Sequence, residues 1–519
     1  MRNRKITFVC FSLLSLAMIG AIWALADDDA SSSSLLKEKG QKESFEDVFA
    51  SVRSKILLSI KKTGVPSISV AVAKNGKIIW EEAFGWANRE KRIKASPHTM
   101  YSLASISKPI TATGLMILVE RGLVDLNKPA NNYLGRGKLS AFEGEVSDAT
   151  VKRVLHHTAG LPTHWNFYYE NDSRLLPSMD EAISRYGILV APPGEGYNYS
   201  NLGYGIIDYI ISRVSGKSYG DFMRAEVFNP LGMTRTSINI GPGLEDYVAE
   251  RYDGNQNPIP FYDFDHRGAS DVYSSAHDLV RFGMFHLKNH LSDQKQVLKD
   301  KTIDSMQQQV DPSLPKSGYK LGWSVIENDH GYRSVGHSGG MPGVSTELRF
   351  IPSENIAVVA LCNGRNAYAY GLDQDIFAAL LPEYAKNLEA ERKKKRKPRK
   401  LEKFSPAESL LGEWKGEIKT YSGVMPINMV FQEDGDIHIK IRGQLENLLN
   451  NVNFRDGMLR GRFNGEIKTE DTSPIPHVIN LNMKLRDKKL SGFAAAISQK
   501  SIFCLPSYIQ LEKTQKKKD

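Results

Sequence analysis

Ser105-Ile106-Ser107-Lys108 sets a hydroxyl and an amine three residues apart, at the start of an apolar, helix-like stretch, Pro109 to Val119. On a helix, residues i and i+3 share a face, so the Lys108 amine comes beside the Ser105 hydroxyl. Serine is a weak nucleophile until a base takes its proton. A lysine held in a dry pocket releases its own proton and can be that base. The spacing can therefore make an acyl-transfer nucleophile without a histidine. It also arises by chance: Ser59-Ile60-Lys61-Lys62 shares it, on a charged amphipathic pattern.

Two further sets separate these matches. Tyr199-Ser200-Asn201 follows the turn Pro193-Gly194-Glu195-Gly196 and precedes a helical pattern. Asn201 suits a helix N-cap. A phenol near a lysine ammonium loses its proton more easily, and the Asn201 amide both donates and accepts. Tyr169-Glu170-Asn171 is the chance twin of this set. His337-Ser338-Gly339-Gly340 ends one strand-like run shortly before another. Glycines at a sheet edge let a substrate backbone come close and leave an N–H for an oxyanion hole. The rival Lys316-Ser317-Gly318 reads instead as a loop entering a strand, so His337 is preferred.

Taken in order, Ser-x-x-Lys, Tyr-x-Asn and [Lys/His]-x-Gly resemble the serine β-lactamase and penicillin-binding-protein family. The set is most similar to the class C β-lactamase-related branch, with its D,D-peptidases, D-aminopeptidases and esterases. Leu155-His156-His157-Thr158-Ala159-Gly160-Leu161-Pro162 is similar to that family's Leu-x-x-His-Thr-Ser-Gly-Leu-Pro. Gly122-Leu123-Val124-Asp125-Leu126 and Ser274-Ser275-Ala276-His277-Asp278-Leu279 resemble two more of its stretches, and the likeness covers about Ser44 to Leu381. It implies an α/β (α+β) β-lactamase/transpeptidase-like fold, an antiparallel sheet flanked by helices plus a helical region. It also implies roles. Ser105 forms an acyl-enzyme while Lys108 and Tyr199 share the acid–base work. Asn201, His337, Ser338 and Gly339 bind substrate, and the backbone N–H groups of Ser105 and Gly340 form the oxyanion hole. His156 and His157 become structural. No metal or other cofactor is implied.

One departure bears on substrate. β-Lactamases of this branch carry lysine where this chain has His337, and a neutral histidine holds a β-lactam carboxylate less well. The expected activity is therefore D,D-peptidase- or D-aminopeptidase-like, or an esterase, on a small peptide or ester, with cell-wall fragments among the candidates. A β-lactamase and a non-catalytic wall- or ligand-binding protein are the alternatives.

The elements that must hold these residues are readable in outline. Asn75-Gly76 marks a hairpin between β-like runs. Asn201 to Val214 and Tyr219 to Phe228 read as helices, and strand-like runs return from Leu321 to Leu361. Residues 163–190, within a mixed loop and helix segment, are expected to shape the pocket. With 519 residues the chain exceeds one ordinary domain. Residues 1–26, with Arg2, Arg4, Lys5 and Ala24-Leu25-Ala26, read as a cleaved signal peptide of a secreted or periplasmic protein. An uncleaved anchor is the alternative. Residues 27–43 read as a flexible lead-in, 44–385 as the hydrolase domain and 386–406 as a basic linker. Residues 407–513 read as a small antiparallel barrel or sandwich, which through Leu411-Gly412-Glu413-Trp414-Lys415-Gly416 resembles the all-β lipocalin-like barrels appended to some family members, and 514–519 read as a basic tail.

The net charge of +9 comes from the ends and the linker. The signal holds three positives, Arg392 to Lys400 eight, and Lys513 to Asp519 a net three, which leaves the body at about −5. No base-reading motif accompanies them, so nucleic acid is not an expected partner. The linker is either a solvated spacer or a weak attraction to membrane or wall polymer. Cys362 and Cys504 are expected to be separate buried thiols, and the sequence fixes no oligomeric state.

Overall fold

Asn75 and Gly76 take φ of 51° and 76°, the left-handed pair that a two-residue hairpin needs. They fold Ser67–Lys74 back onto Lys77–Asn88. On its other side Ser67–Lys74 pairs with Ile356–Cys362, so the two ends of the region complete one sheet. Its eight antiparallel strands run, in order, Gly318–Tyr319, Ser324–Asp329, Tyr332–Met341, Val344–Ile351, Ile356–Cys362, Ser67–Lys74, Lys77–Asn88 and Ile93–Lys94. In this computed structural model the described residues are 48–309, 314–394, 404–473, 475–498 and 502–514. The expected signal peptide and lead-in, residues 395–403 of the expected linker and nearly all of the expected tail lie outside them.

Strand alternation assigns the two faces. Trp80, Val72 and Val358 align across three strands, and Phe49 of the helix at 48–63 stacks on Trp80 at 4.5 Å. Ala357, Val359, Leu348 and His337 share the opposite face. There the helix Ala276–His286 presses Gly283 against Ala357 and Leu348. Ser275 caps that helix by accepting from the Asp278 N–H.

The helix Ser107–Glu120 is buried from Ser107 to Leu118. A helix apolar on every side belongs at the centre of a fold, and Asn201–Ser215 packs against it. The predicted helix over 219–228 is observed as Tyr219–Met223 followed by a wider π turn, Arg224–Phe228.

Nine strands between Gly412 and Lys513 form a nearly closed antiparallel barrel. Trp414 is 1% exposed in its interior and donates to the Leu410 carbonyl at 2.8 Å. Asp456-Gly457 turns a hairpin, whereas Asn464 closes a strand and a longer connection leads to His477. The helix Pro382–Lys393 runs past position 386, where the linker was expected to start.

The described residues, from 48 to 514, form one compact unit. Cys504 and Phe503 of the barrel pair with Trp165 and Asn166, on a strand within the stretch 163–190. Asp471 accepts from Arg185 at 2.9 Å and from Tyr186, and Glu143 accepts from Lys489 at 3.0 Å. Cys362 and Cys504 are free and buried. Among the described residues no helix is long and apolar enough to cross a membrane.

Candidate active site

Ala104 has φ of +50°, a left-handed conformation that costs a non-glycine residue about 1 kcal/mol. Its neighbour Leu103 is held on both sides. The Leu103 N–H donates to Val272 O at 2.8 Å, and Thr346 Oγ1 donates to Leu103 O at 2.9 Å. The chain then turns through Ala104–Ile106 and enters the helix at Ser107. This turn puts Lys108 Nζ 3.1 Å from Ser105 Oγ and 3.1 Å from Ala269 O. Lys108 is wholly buried, and loss of solvent pushes its pKa well below the usual 10.5.

Tyr199 comes in from the other side, its ring centre 4.7 Å from Lys108 Nζ. Burial raises its pKa, against the smaller lowering effect of its hydrogen bond with Ser105. The phenol is therefore not the easier group to deprotonate, contrary to the sequence-based expectation. That expectation needed an ammonium beside it, and a desolvated Lys108 favours the neutral amine.

Ser200, not Asn201, occupies the N-cap, and Asn201 opens the helix. Asn201 Oδ1 is buried with no hydrogen-bond partner among the described residues. An orphaned acceptor costs about 1–3 kcal/mol, and a ligand N–H would satisfy it.

His337 is 7% exposed. Its Nδ1 lies 2.7 Å from Ser338 O and must donate to that carbonyl, which leaves Nε2 to accept from Tyr319 Oη at 3.2 Å. Burial, with the nearby Lys108 charge second, pushes its pKa down to about 3, so the ring is neutral at pH 7. A Cβ on Gly339 would sit 2.1 Å from Leu103 O, so only glycine lets this strand touch the nucleophile turn. Ser338 and Gly340 are exposed. Beyond Gly336 the strand has no pairing partner on its outer side among the described residues, so His337 to Met341 form an open edge there.

The chance matches fall elsewhere. Ser59 hydrogen-bonds Asn366 while Lys62 is exposed. Lys316 is also exposed, as is Asn171. Two site residues, Tyr319 and Tyr370, escaped the sequence reading, while His157 was read there as structural. Tyr319 follows the discounted Lys316-Ser317-Gly318, and its loop delivers the phenol to His337. His157 lies 4.4 Å from the Tyr199 ring and accepts from the Ser200 N–H at 3.2 Å, so it positions the Tyr199 segment. Tyr370 donates to Gly339 O at 3.0 Å.

A family model described as Beta-lactamase matches residues 45–382. Protein flp of Staphylococcus aureus (strain MRSA252) is 26% identical over 316 residues, 60% of this chain and 62% of that protein. Penicillin-binding protein 4* of Bacillus subtilis (strain 168) is 28% identical over 311 residues, 54% of this chain and 64% of that one. The chain thus spans less than two thirds of the length of these curated relatives. The octameric penicillin-binding protein homologue from Pyrococcus abyssi shares the fold, with a TM-score of 0.56 at 22% identity over 89% of this chain and 99% of that one. With that model matched over more than half its length, the chain belongs to the β-lactamase family.

Proposed function

We propose that this protein is an exported serine hydrolase that cleaves amide or ester bonds through an acyl-enzyme on Ser105. The substrates are small peptides of the D,D-peptidase or D-aminopeptidase type, cell-wall fragments among them, or esters. One observation carries the reading: a wholly buried Lys108 whose amine lies 3.1 Å from the Ser105 hydroxyl. Membership of the β-lactamase family and the relative named as a penicillin-binding protein support it.

In the forward step the neutral Lys108 amine takes the Ser105 proton as Oγ bonds to the substrate carbonyl carbon. The N–H groups of Ser105 and Gly340 receive the oxyanion. As the tetrahedral species collapses, the bond to the leaving group breaks. Tyr199 gives its proton to that group and is reprotonated from Lys108, which restores the neutral amine. Water then attacks the acyl carbon by the same route in reverse and frees Ser105. Asn201 Oδ1 accepts a substrate N–H, and the open edge at His337 to Met341 carries the substrate backbone.

A neutral His337 leaves a β-lactam carboxylate without a fixed cation, which places the β-lactamase reading second. The test is turnover of nitrocefin, short-chain nitrophenyl esters and peptides ending or beginning with D-alanine, by wild type and Ser105→Ala. Esters or D-alanyl peptides should be cleaved, and Ser105→Ala should lose about 10⁴-fold or more. No serine-dependent turnover in any class would sink the hydrolase reading. Nitrocefin as the fastest substrate would replace it with the β-lactamase.

A further inference from the structure

The barrel wall that faces the catalytic region carries an ordered polar array. Arg460 and Arg462 stand two residues apart on Met458–Asn464, so they share a face. Register pairs Arg460 with Asn482 and Arg462 with Asn480. The alternate residues Leu459, Phe463, Leu481 and Met483 fill the core, which puts the array on the outside of the barrel. Two adjoining cavities of about 300 and 380 Å³ lie over it and share Arg460, Asn482 and Phe493. Their opposite walls belong to the catalytic region: Tyr197 and Asn198 in one, Thr163 and Trp165 in the other. The Tyr197 ring lies 6.1 Å from that of Tyr319, which in turn touches His337, so this wall of the groove continues into the site.

Its chemistry is unbalanced. Among the described residues that line it, Arg460, Arg462, Lys484 and Arg486 face two carboxylates, Glu195 and Asp456. Glu195 is already held by Lys484 at 3.1 Å and by Arg486 Nε at 3.1 Å. Arg460 and Arg462 are exposed, and neither pairs with an acid among the described residues. Asn480 Oδ1 and Asn482 Oδ1 are buried without a hydrogen-bond partner among the described residues. The groove thus offers free guanidinium forks, which match carboxylates, above acceptors that lack an N–H.

We propose that this groove binds the extended part of a peptide substrate, an acidic peptide whose carboxylate is taken by Arg460 and Arg462 and whose N–H groups are taken by Asn480 and Asn482. It rests on the hydrolase reading, since the reactive end of that peptide lies at Ser105. The barrel then selects substrates that the catalytic cleft alone does not distinguish.

The test scans one glutamate, against a matched glutamine, through positions two to six from the scissile bond on each side of it. Wild type should prefer glutamate about tenfold in kcat/KM at one position. The double variant Arg460→Ala/Arg462→Ala should bring that ratio close to one, chiefly through KM, with its melting temperature unchanged. Fluorescence anisotropy of the same labelled peptides on Ser105→Ala reads the groove without turnover. No glutamate preference in binding at any position, or a preference the double variant keeps, overturns the groove. Intact binding preference with no serine-dependent turnover overturns the hydrolase reading instead.

Discussion

Lys108 concentrates the chemistry of this site, and its burial has a cost in stability. An unfolded lysine keeps its proton up to about pH 10.4, whereas folded Lys108 releases it well below 10.5. Between those two values the unfolded chain binds the extra proton, so stability rises with pH across that window. Lys108→Met removes this linkage. Thermal melts should show the variant gaining on wild type as pH falls from about 10, while hydrolysis is lost. A stability difference that does not change with pH would mean that Lys108 is charged in the fold. At this scale the sequence was informative because Ser-x-x-Lys is local: one turn carries both groups. The positive φ of Ala104 was hidden, since alanine does not advertise a left-handed turn. So was the rise in the Tyr199 pKa, because burial depends on residues far along the chain.

Strands and helices bring the remaining groups to Ser105, and the ion network behind the sheet holds one junction. Arg349 donates to Glu347 at 2.9 Å and pairs with Asp373, at the start of the helix Leu372–Leu380, at 2.8 Å. Glu347 sits opposite Ser338 in the ladder, so this network backs the strand that ends in His337 to Met341. Burial of Glu347 raises its pKa to about 8 in spite of Arg349. Arg349→Leu leaves the buried Glu347 and Asp373 carboxyl groups without their shared donor and should cost about 2–3 kcal/mol, measured by urea unfolding at pH 7. An unchanged unfolding midpoint would show that the network does not support the strand. Local turn chemistry made the strands readable, as at Asn75-Gly76, where side-chain type and backbone φ agree. The strand Trp165–Tyr169 was missed because its barrel partners, Phe503 and Cys504, lie at the far end of the chain and no short-range pattern reports such a pairing.

Across the whole molecule, the barrel is built into the catalytic unit rather than hung from a linker. Composition pointed to the basic run after Arg392 but gave no sign of the contacts that bypass it. Asp471 is one such contact, accepting from Arg185, Tyr186 and Tyr421. Asp471→Ala leaves a charge and a buried hydroxyl unpaired and should lower stability by about 3 kcal/mol. Calorimetry should still record one transition for wild type, since both parts share a sheet. Two well-separated transitions would contradict that coupling. The most direct check on the central claim reads the intact chain. Mass spectrometry after brief exposure to a fluorophosphonate and to a penicillin should show one added mass on wild type. The label should map to Ser105, be absent in Ser105→Ala and form far more slowly on Lys108→Ala. A label on another residue, or none from either probe, would contradict that claim.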